Sequence, residues 1–341
     1  MTVSIAAIGL GQLCTAGLPI YDAMEDVAIV AGADVSRPVR ERFERDYGAP
    51  AYDDYRALLA ERGDDLDAVT IATPHTLHYE QAMACLDEGL HVYLEKPLVT
   101  DVADAVDLVR TADRRELALV VGYQRHFHPT YRRIKDLIDD GHLGRIHHAS
   151  CFLGQNWIRK FDDAWRTDPS LSGGGQLYDS GSHLLDTLLW TTGTTPASVA
   201  AVMDYRDHEV DVNSALALRL DRGGRTVTAS VSVTADGPAD PGTYEGFTVW
   251  GTEGRLSYCR DALTVTEHGG STTEYPTDEE TGFEAFLGRK LTDFVETVRG
   301  EHPPTVSGSF GLEVVALTEA CYEAHRTGTV VDVAEILDPS G

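Results

Sequence analysis

Apolar residues in the first third of the chain come in short runs separated by amphipathic stretches. Residues 2–8 form an apolar run that closes on glycine, the signature of a strand buried on both faces. Helical spacing follows over 12–24, with Pro19 a candidate kink. A second apolar run covers 27–35. A helix is predicted over 37–47, with Gly48 as its C-cap, and a shorter one over 54–62, ending at Gly63. Runs at 68–73, 90–94 and 117–122 predict more strands; 75–88 and 101–114 predict helices, the second capped by Thr100. Strands alternating with helices of this length specify an α/β domain built on a parallel, doubly wound sheet.

The rhythm changes after Gly122. A helix over 130–140 and a strand over 145–153 lead into an irregular stretch that contains Gly173-Gly174-Gly175. A helix is expected over 177–191. Six β runs then follow between 198 and 266, with Asp221-Arg222-Gly223-Gly224 as a hairpin turn, and helices over 283–299 and 311–326 close the chain. Strands in a block with helices at its ends predict an α+β domain on an open, mostly antiparallel sheet. The boundary is expected between Gly122 and Pro129, which gives a first domain of 1–124 and a second of 125–341.

Charge narrows the function classes. The 341 residues hold 28 basic and 55 acidic side chains, a net charge of −27. Such a surface repels phosphate backbones and anionic lipid, which argues against nucleic-acid and membrane binding. Lys96, Lys135, Lys160 and Lys290 are the only lysines, and the acids are spread along the whole chain between hydrophobic segments. This composition resembles the folded proteins of salt-accumulating halophilic archaea, whose dense carboxylates hold water while salt screens their repulsion. Five scattered cysteines form no C-x-x-C pair, so neither a disulfide framework nor a metal site is expected. His126 with His128 has no carboxylate in motif spacing and predicts no metal either. No apolar run reaches the roughly 20 residues of a membrane span, and a cytoplasmic chain is expected.

Candidate chemistry starts at Gly9-Leu10-Gly11-Gln12-Leu13-Cys14, between the first strand and the first helix. In that context Gly9 permits a tight turn and Gly11 lets the backbone approach a pyrophosphate. The N–H groups of the helix start, at Gln12 and Leu13, can bind it. Asp34 ends the second strand at the spacing where an acid holds the adenosine ribose. It disfavours a 2′-phosphate, whereas Arg37 favours one. NAD is the expected cofactor and NADP the runner-up.

Three further stretches complete the pattern: Thr73-Pro74-His75-Thr76-Leu77-His78, Glu95-Lys96-Pro97, and Gly173-Gly174-Gly175 running on through Asp179 and His183 to Asp186. The first two follow strands, where open α/β sheets bind ligands. Asp179 and His183 are four apart, on one face if that segment is helical. Together with Gly122-Tyr123-Gln124-Arg125 and Trp165-Arg166, the set resembles the glucose-fructose oxidoreductase / inositol dehydrogenase / rhizopine catabolism (Gfo/Idh/MocA) family over essentially the whole chain. Cys14 in the glycine turn and His75, where the family often has Asn, depart from that pattern.

The resemblance implies a Rossmann domain, and a reversible hydride transfer between a nicotinamide and a secondary alcohol or hemiacetal carbon of a sugar or polyol. Loss of hydride from carbon requires that the hydroxyl proton leave too, and a neutral imidazole suits that step. His183 is therefore assigned as general base, with Asp179 orienting it or the substrate. Lys96 contacts the reacting oxygen and is the alternative proton carrier. Thr73, Pro74, His75, His78, Glu95 and Gln124 are assigned to the cofactor side; Tyr123, Arg125, Trp157 and Arg166 to the substrate. Pro97 is either cis or an ordinary trans turn proline. Relatives with tightly held NAD that oxidise transiently during hydrolysis or isomerisation provide a second reading, and a non-catalytic nucleotide sensor a third. The family also implies a homodimer or homotetramer paired through the open sheet.

Overall fold

The computed structural model describes residues 2–162, 164–240, 242–276 and 283–337, in two compact units. The chain forms strand β1 (Val3–Ile8), helix α1 (Gln12–Asp22), β2 (Val27–Ala33), α2 (Arg37–Tyr47), β3 (Ala51–Tyr52), α3 (Tyr55–Arg62), β4 (Ala68–Ile71), α4 (His78–Asp87), β5 (His91–Leu94), α5 (Val102–Arg115) and β6 (Leu119–Val121). The six strands pair in parallel in the order β3-β2-β1-β4-β5-β6. This is the doubly wound sheet that the apolar runs predict. Strand order reverses between β1 and β4, and ligands bind such sheets beyond the carboxyl ends of the strands at that reversal.

Two local expectations are corrected. The cap of α5 is Asp101, whose side chain accepts from the Asp104 N–H at 3.1 Å, because the helix starts one residue later than Thr100 would require. Residues 75–77 form a 3₁₀ turn rather than the first turn of an α-helix, and β6 ends at Val121, so Tyr123 lies beyond the strand and Gln124–Phe127 forms another 3₁₀ turn.

The remaining elements are α6 (Pro129–Asp139), β7 (Ile146–Gly154), α7 (Trp157–Lys160), α8 (Pro169–Ser172), α9 (Ser182–Thr192), β8 (Thr195–Asp204), β9 (Asn213–Asp221), β10 (Thr226–Thr234), β11 (Tyr244–Gly251), β12 (Gly254–Cys259), β13 (Ala262–Glu267), β14 (Thr272–Glu274), α10 (Phe283–Val298), α11 (Gly308–Thr327), β15 (Val331–Asp332) and α12 (Val333–Leu337). The first unit takes back residues 283–312, so a single cut near 124 does not describe the division. The reason is hydrophobic. Leu287, Leu291, Phe294 and Val295 of α10 share a core with Val3, Ile5, Tyr21, Ala68, Tyr93 and Val120, covering a sheet face that would otherwise stand open. Residues 128–276 and 313–337 belong to the second unit.

The second unit is a nine-stranded sheet in the order β14-β13-β12-β11-β7-β10-β9-β8-β15. All its pairs are antiparallel except β7 with β10. The alternation in β9 and β10 separates two faces. Leu216, Leu218, Leu220, Val227, Val231 and Val233 are buried, while Ala215, Ala217, Thr228, Ser230 and Ser232 are exposed. The Gly223 and Gly224 turn joins these strands as predicted, both residues with positive φ.

Residues 177–191 are not one regular helix. Leu177–Gly181 is a π-helical turn and α9 begins at Ser182. Asp211, fully buried, fixes the entry to that turn. Its carboxylate accepts from the Gly175 N–H at 2.7 Å, from the Leu177 N–H at 2.9 Å and from the Tyr322 hydroxyl, and its carbonyl accepts from the Gln176 N–H at 3.1 Å. Asp211→Ala leaves two buried N–H groups without a charged acceptor and is expected to cost about 3 kcal/mol, against about 1 kcal/mol for Tyr322→Phe. Chemical denaturation of the two variants checks this; equal, small losses would show that the carboxylate does not hold the turn.

Candidate active site

The glycine turn sits where strand order reverses. Gly9 has φ +83°, and a Cβ there would lie 2.7 Å from the Ala72 carbonyl oxygen, so only glycine lets the exits of β1 and β4 come this close. Gly11 is the N-cap of α1, and a Cβ placed on it meets nothing within 4 Å. The first turn of α1 carries no acidic residue, and Gln12 and Leu13 are exposed. The space over Gly11 and the N–H groups of that turn therefore fit a dinucleotide pyrophosphate. Cys14 is buried in the core behind the turn with Ala7, Leu10, Leu18 and Phe43. Burial pushes its thiol up to about 12, with the Asp34 and Glu95 charges adding to the effect, so it is an inert packing residue.

Asp34 is half-buried just beyond β2. Its Oδ2 accepts from the Leu10 N–H at 2.8 Å and its Oδ1 from the Ser36 N–H at 2.7 Å, so the carboxylate is locked beside the glycine turn. Arg40 donates to the Asp34 carbonyl at 2.7 Å. Arg37 instead points along its own helix to Glu41 at 2.7 Å, with its side chain 81% exposed.

His78, assigned from sequence to the cofactor, is fully buried. Nδ1 is 2.8 Å from the Pro97 carbonyl and Nε2 is 3.1 Å from the Thr73 carbonyl. The ring lies between the segment after β4 and the segment after β5, and as a neutral imidazole it donates to one of the two carbonyls, which gives it a framework role. His75 is also buried and packs edge-on against His78. Thr73 donates to Gln81 at 2.6 Å. Beyond β5, Lys96 is partly exposed and the Lys96–Pro97 peptide is cis. Tyr123 is fully buried, whereas Gln124 and Arg125 are partly exposed.

In the second unit the π turn brings Asp179 to Trp157 and Arg166. The Trp157 indole N–H donates to Asp179 Oδ2 at 2.6 Å, and Arg166 Nε lies 3.3 Å from the same oxygen. The Arg166 guanidinium stacks on Phe161 and Trp165, 4.5 Å from each ring centroid. Three residues from separate segments of the sequence thus form one polar cluster around a carboxylate. His183, in the first turn of α9, is partly exposed. No group of His, Cys, Asp and Glu among the described residues is arranged to hold a metal ion, and no described helix is long and apolar enough to cross a membrane.

Sequence patterns did not single out Lys290 and Asp211. Lys290 was detectable, since the lysine scarcity that marks Lys96 marks it equally. Asp211 carries no such signal among 55 acidic residues.

Comparison with known proteins bears directly on this arrangement. Residues 3–123 match the model of an oxidoreductase family with an NAD-binding Rossmann fold, and residues 131–257 match the GFO/IDH/MocA C-terminal domain. D-xylose 1-dehydrogenase (NADP(+)) 2 of Haloferax volcanii is 30% identical over 336 residues, covering 95% of this chain and 99% of the relative. The chain belongs to the GFO/IDH/MocA oxidoreductase family. D-xylose 1-dehydrogenase [NADP(+)] of Haloarcula marismortui is 28% identical, covering 96% of this chain and 88% of the relative. Among solved structures, levoglucosan dehydrogenase in complex with NADH and levoglucosan superposes with a TM-score of 0.88 at 22% identity. It covers 98% of this chain and 100% of its own, a likeness of fold. The GFO/IDH/MocA fold thus explains both the parallel sheet and the large mixed sheet.

His78 makes a pH prediction. Burial lowers its pKa below the ordinary 6.5, so the folded state holds it neutral while the unfolded chain takes up a proton. Its contribution to stability is complete above pH 6.5 and is lost as pH falls below it. Melting temperatures of His78→Asn are expected to decline less steeply between pH 7 and 5 than those of the wild type; parallel declines would refute the assignment.

Proposed function

We propose that this GFO/IDH/MocA protein is an NAD-dependent dehydrogenase of a sugar or polyol, with an aldose oxidised at its hemiacetal carbon as the first substrate class. The observation that carries this reading is Lys96, placed beyond the carboxyl end of β5 in the dinucleotide-binding sheet. The full-length likeness to two haloarchaeal D-xylose dehydrogenases supports the substrate class.

Bound nicotinamide supplies the hydride acceptor. The Lys96 ammonium hydrogen-bonds the reacting oxygen and favours its alkoxide character. His183 takes the hydroxyl proton as the C–H bond gives up its hydride, leaving a lactone from an aldose. Asp179, already an acceptor for Trp157 and paired with Arg166, orients a substrate hydroxyl. Asp34 supports NAD over NADP, because a fixed carboxylate beside the glycine turn repels a 2′-phosphate and Arg37 is paired with Glu41. In this the chain departs from the cofactor named for its haloarchaeal relatives. The exposed face of small and polar residues on β9 and β10 supports pairing of two copies through the sheet.

The test is reduction of NAD and NADP on a panel of aldoses, polyols and inositols in molar potassium chloride. Lys96→Ala and His183→Ala are each expected to abolish turnover, a loss of about 10³-fold or more, with NADH binding nearly intact. Asp34→Ala is expected to weaken NAD more than NADP. Normal turnover in either catalytic variant, or no reduction of either cofactor by any member of the panel, would overturn the reading.

A further inference from the structure

Beyond the strand exit that carries Lys96, the first unit buries a second lysine. Lys290 of α10 is 3% exposed. Its Nζ lies 2.9 Å from Glu95 Oε1, 3.4 Å from the Gly122 carbonyl oxygen and 5.2 Å from the centre of the Tyr93 ring. The Tyr93 hydroxyl donates to the same Glu95 oxygen at 2.9 Å, and the Lys96 backbone N–H reaches Oε2 at 3.4 Å. Gly122 makes room for this carboxylate, since a Cβ there would lie 2.7 Å from Glu95 Oε2.

We infer that Lys290 is a positioning residue for Lys96: it holds Glu95 against the Gly122 backbone and balances its charge, so that the Glu95-Lys96-Pro97 segment presents the Lys96 amine in one place and one electrostatic setting.

A buried ion pair brings little stability over an apolar pair of the same volume, because both ions lose their water. Its presence in a lysine-poor chain therefore needs another reason. The pair lies one peptide from Lys96. Burial works against ionisation of Glu95, yet the Lys290 charge, with the Lys290 and Tyr93 hydrogen bonds and the Lys96 charge, holds its pKa below the usual carboxylate value. Of the titratable groups that face Glu95, burial raises Cys14, Tyr21 and Tyr93 and lowers His78, which favours their neutral forms. Lys290 and Lys96 are the charges that hold Glu95 ionised, and removing either Glu95 or Lys290 changes the field on the Lys96 amine with a known sign.

This inference rests on the reading of Lys96 as catalytic, and the experiment separates the two. Plots of kcat against pH are recorded for the wild type, Lys290→Met, Glu95→Gln, the double variant and Lys290→Arg, with Lys96→Ala as control. Folding is followed by thermal melting and cofactor binding by NADH fluorescence. In Lys290→Met the carboxylate that remains stabilises the Lys96 ammonium, so the limb belonging to Lys96 moves up, by less than a full charge would give because burial draws Glu95 towards its neutral form. In Glu95→Gln the Lys290 charge left behind moves it down. The double variant returns it to the wild-type position. Lys290→Arg keeps the limb in place but lowers kcat several-fold, since its planar head does not fit the ammonium site. A limb that stays put in both single variants, with Lys96→Ala inactive, overturns the positioning role alone. Normal turnover by Lys96→Ala overturns the catalytic reading of Lys96. Should Lys290→Met not fold, Glu95→Gln and the double variant decide by the same criterion.

Discussion

The carboxyl edge of the parallel sheet depends on one close approach. The exit of β1 passes so near the exit of β4 that the Ala72 carbonyl occupies the space of a Gly9 side chain. Because β1 and β4 are the strands between which the winding reverses, their loops diverge to opposite faces, and the crevice between them opens at this contact. Past the strand ends, side-chain ties take over from the strand ladder. Asp34 takes the Leu10 N–H, His78 packs between the carbonyls of Thr73 and Pro97 and donates to one of them, and Glu95 connects the Lys96 backbone to Lys290 on α10. Each tie fixes a segment that has left the sheet and lost its ladder hydrogen bonds. A rigid platform for chemistry requires such fixing, because loop ends are otherwise the most mobile part of an α/β fold.

The molecule satisfies two carboxylates withdrawn from solvent, one fully buried and one largely so, in two different ways. Asp211, in the second unit, is satisfied by backbone N–H groups and a tyrosine hydroxyl. Glu95, in the first, is satisfied by a buried ammonium and a tyrosine hydroxyl. Backbone donors suffice where the task is to hold a turn, since they fix three consecutive residues ahead of Asp179. Beside Lys96 the demand is different: any net charge there acts on a group whose protonation matters to the proposed chemistry. A countercharge removes that field, which neutral donors cannot do.

The sequence made much of this legible, because period and chemistry agree there. The apolar runs of the first third are long enough and separated by enough helix to leave only a parallel sheet, and the glycine turn, Asp34 and Glu95-Lys96-Pro97 fall at strand exits that the pattern locates. The parts that stayed illegible depend on contacts distant in sequence. The return of α10 to the first unit is written in the same amphipathic code as any other helix, so its partner is unreadable; Lys290 meets Glu95 across 195 positions. The π turn at Leu177–Gly181 needs Asp211, 34 residues beyond Leu177, to hold its entry. His78 reads as a polar residue near a cofactor, and only the structure shows its ring buried between two carbonyls of the framework. The parallel pairing of β7 with β10 hides for the same reason: strand alternation reports a buried face but not the direction of a neighbour.

The choice of lysine over arginine at two positions follows from the same geometry. This chain uses arginine for nearly all its positive charge, and its surface cations pair with nearby carboxylates, as Arg37 does with Glu41 and Arg115 with Asp87. At the surface a fork of five donors is harmless because water takes those the protein leaves unused. At position 290 the side chain is buried away from bulk water. The surroundings offer a carboxylate oxygen, a carbonyl oxygen and an aromatic face, which match the three donors and the compact charge of an ammonium. A guanidinium there would bring donors with nothing to accept them, and buried polar groups without partners are costly. In the proposed reaction position 96 calls for lysine on different grounds: the reacting oxygen needs the concentrated point charge of an ammonium, which a delocalised guanidinium does not supply. On that proposal the two lysines serve separate chemical ends, donor count at 290 and a point charge on the reacting oxygen at 96, and Glu95 is the group on which both meet.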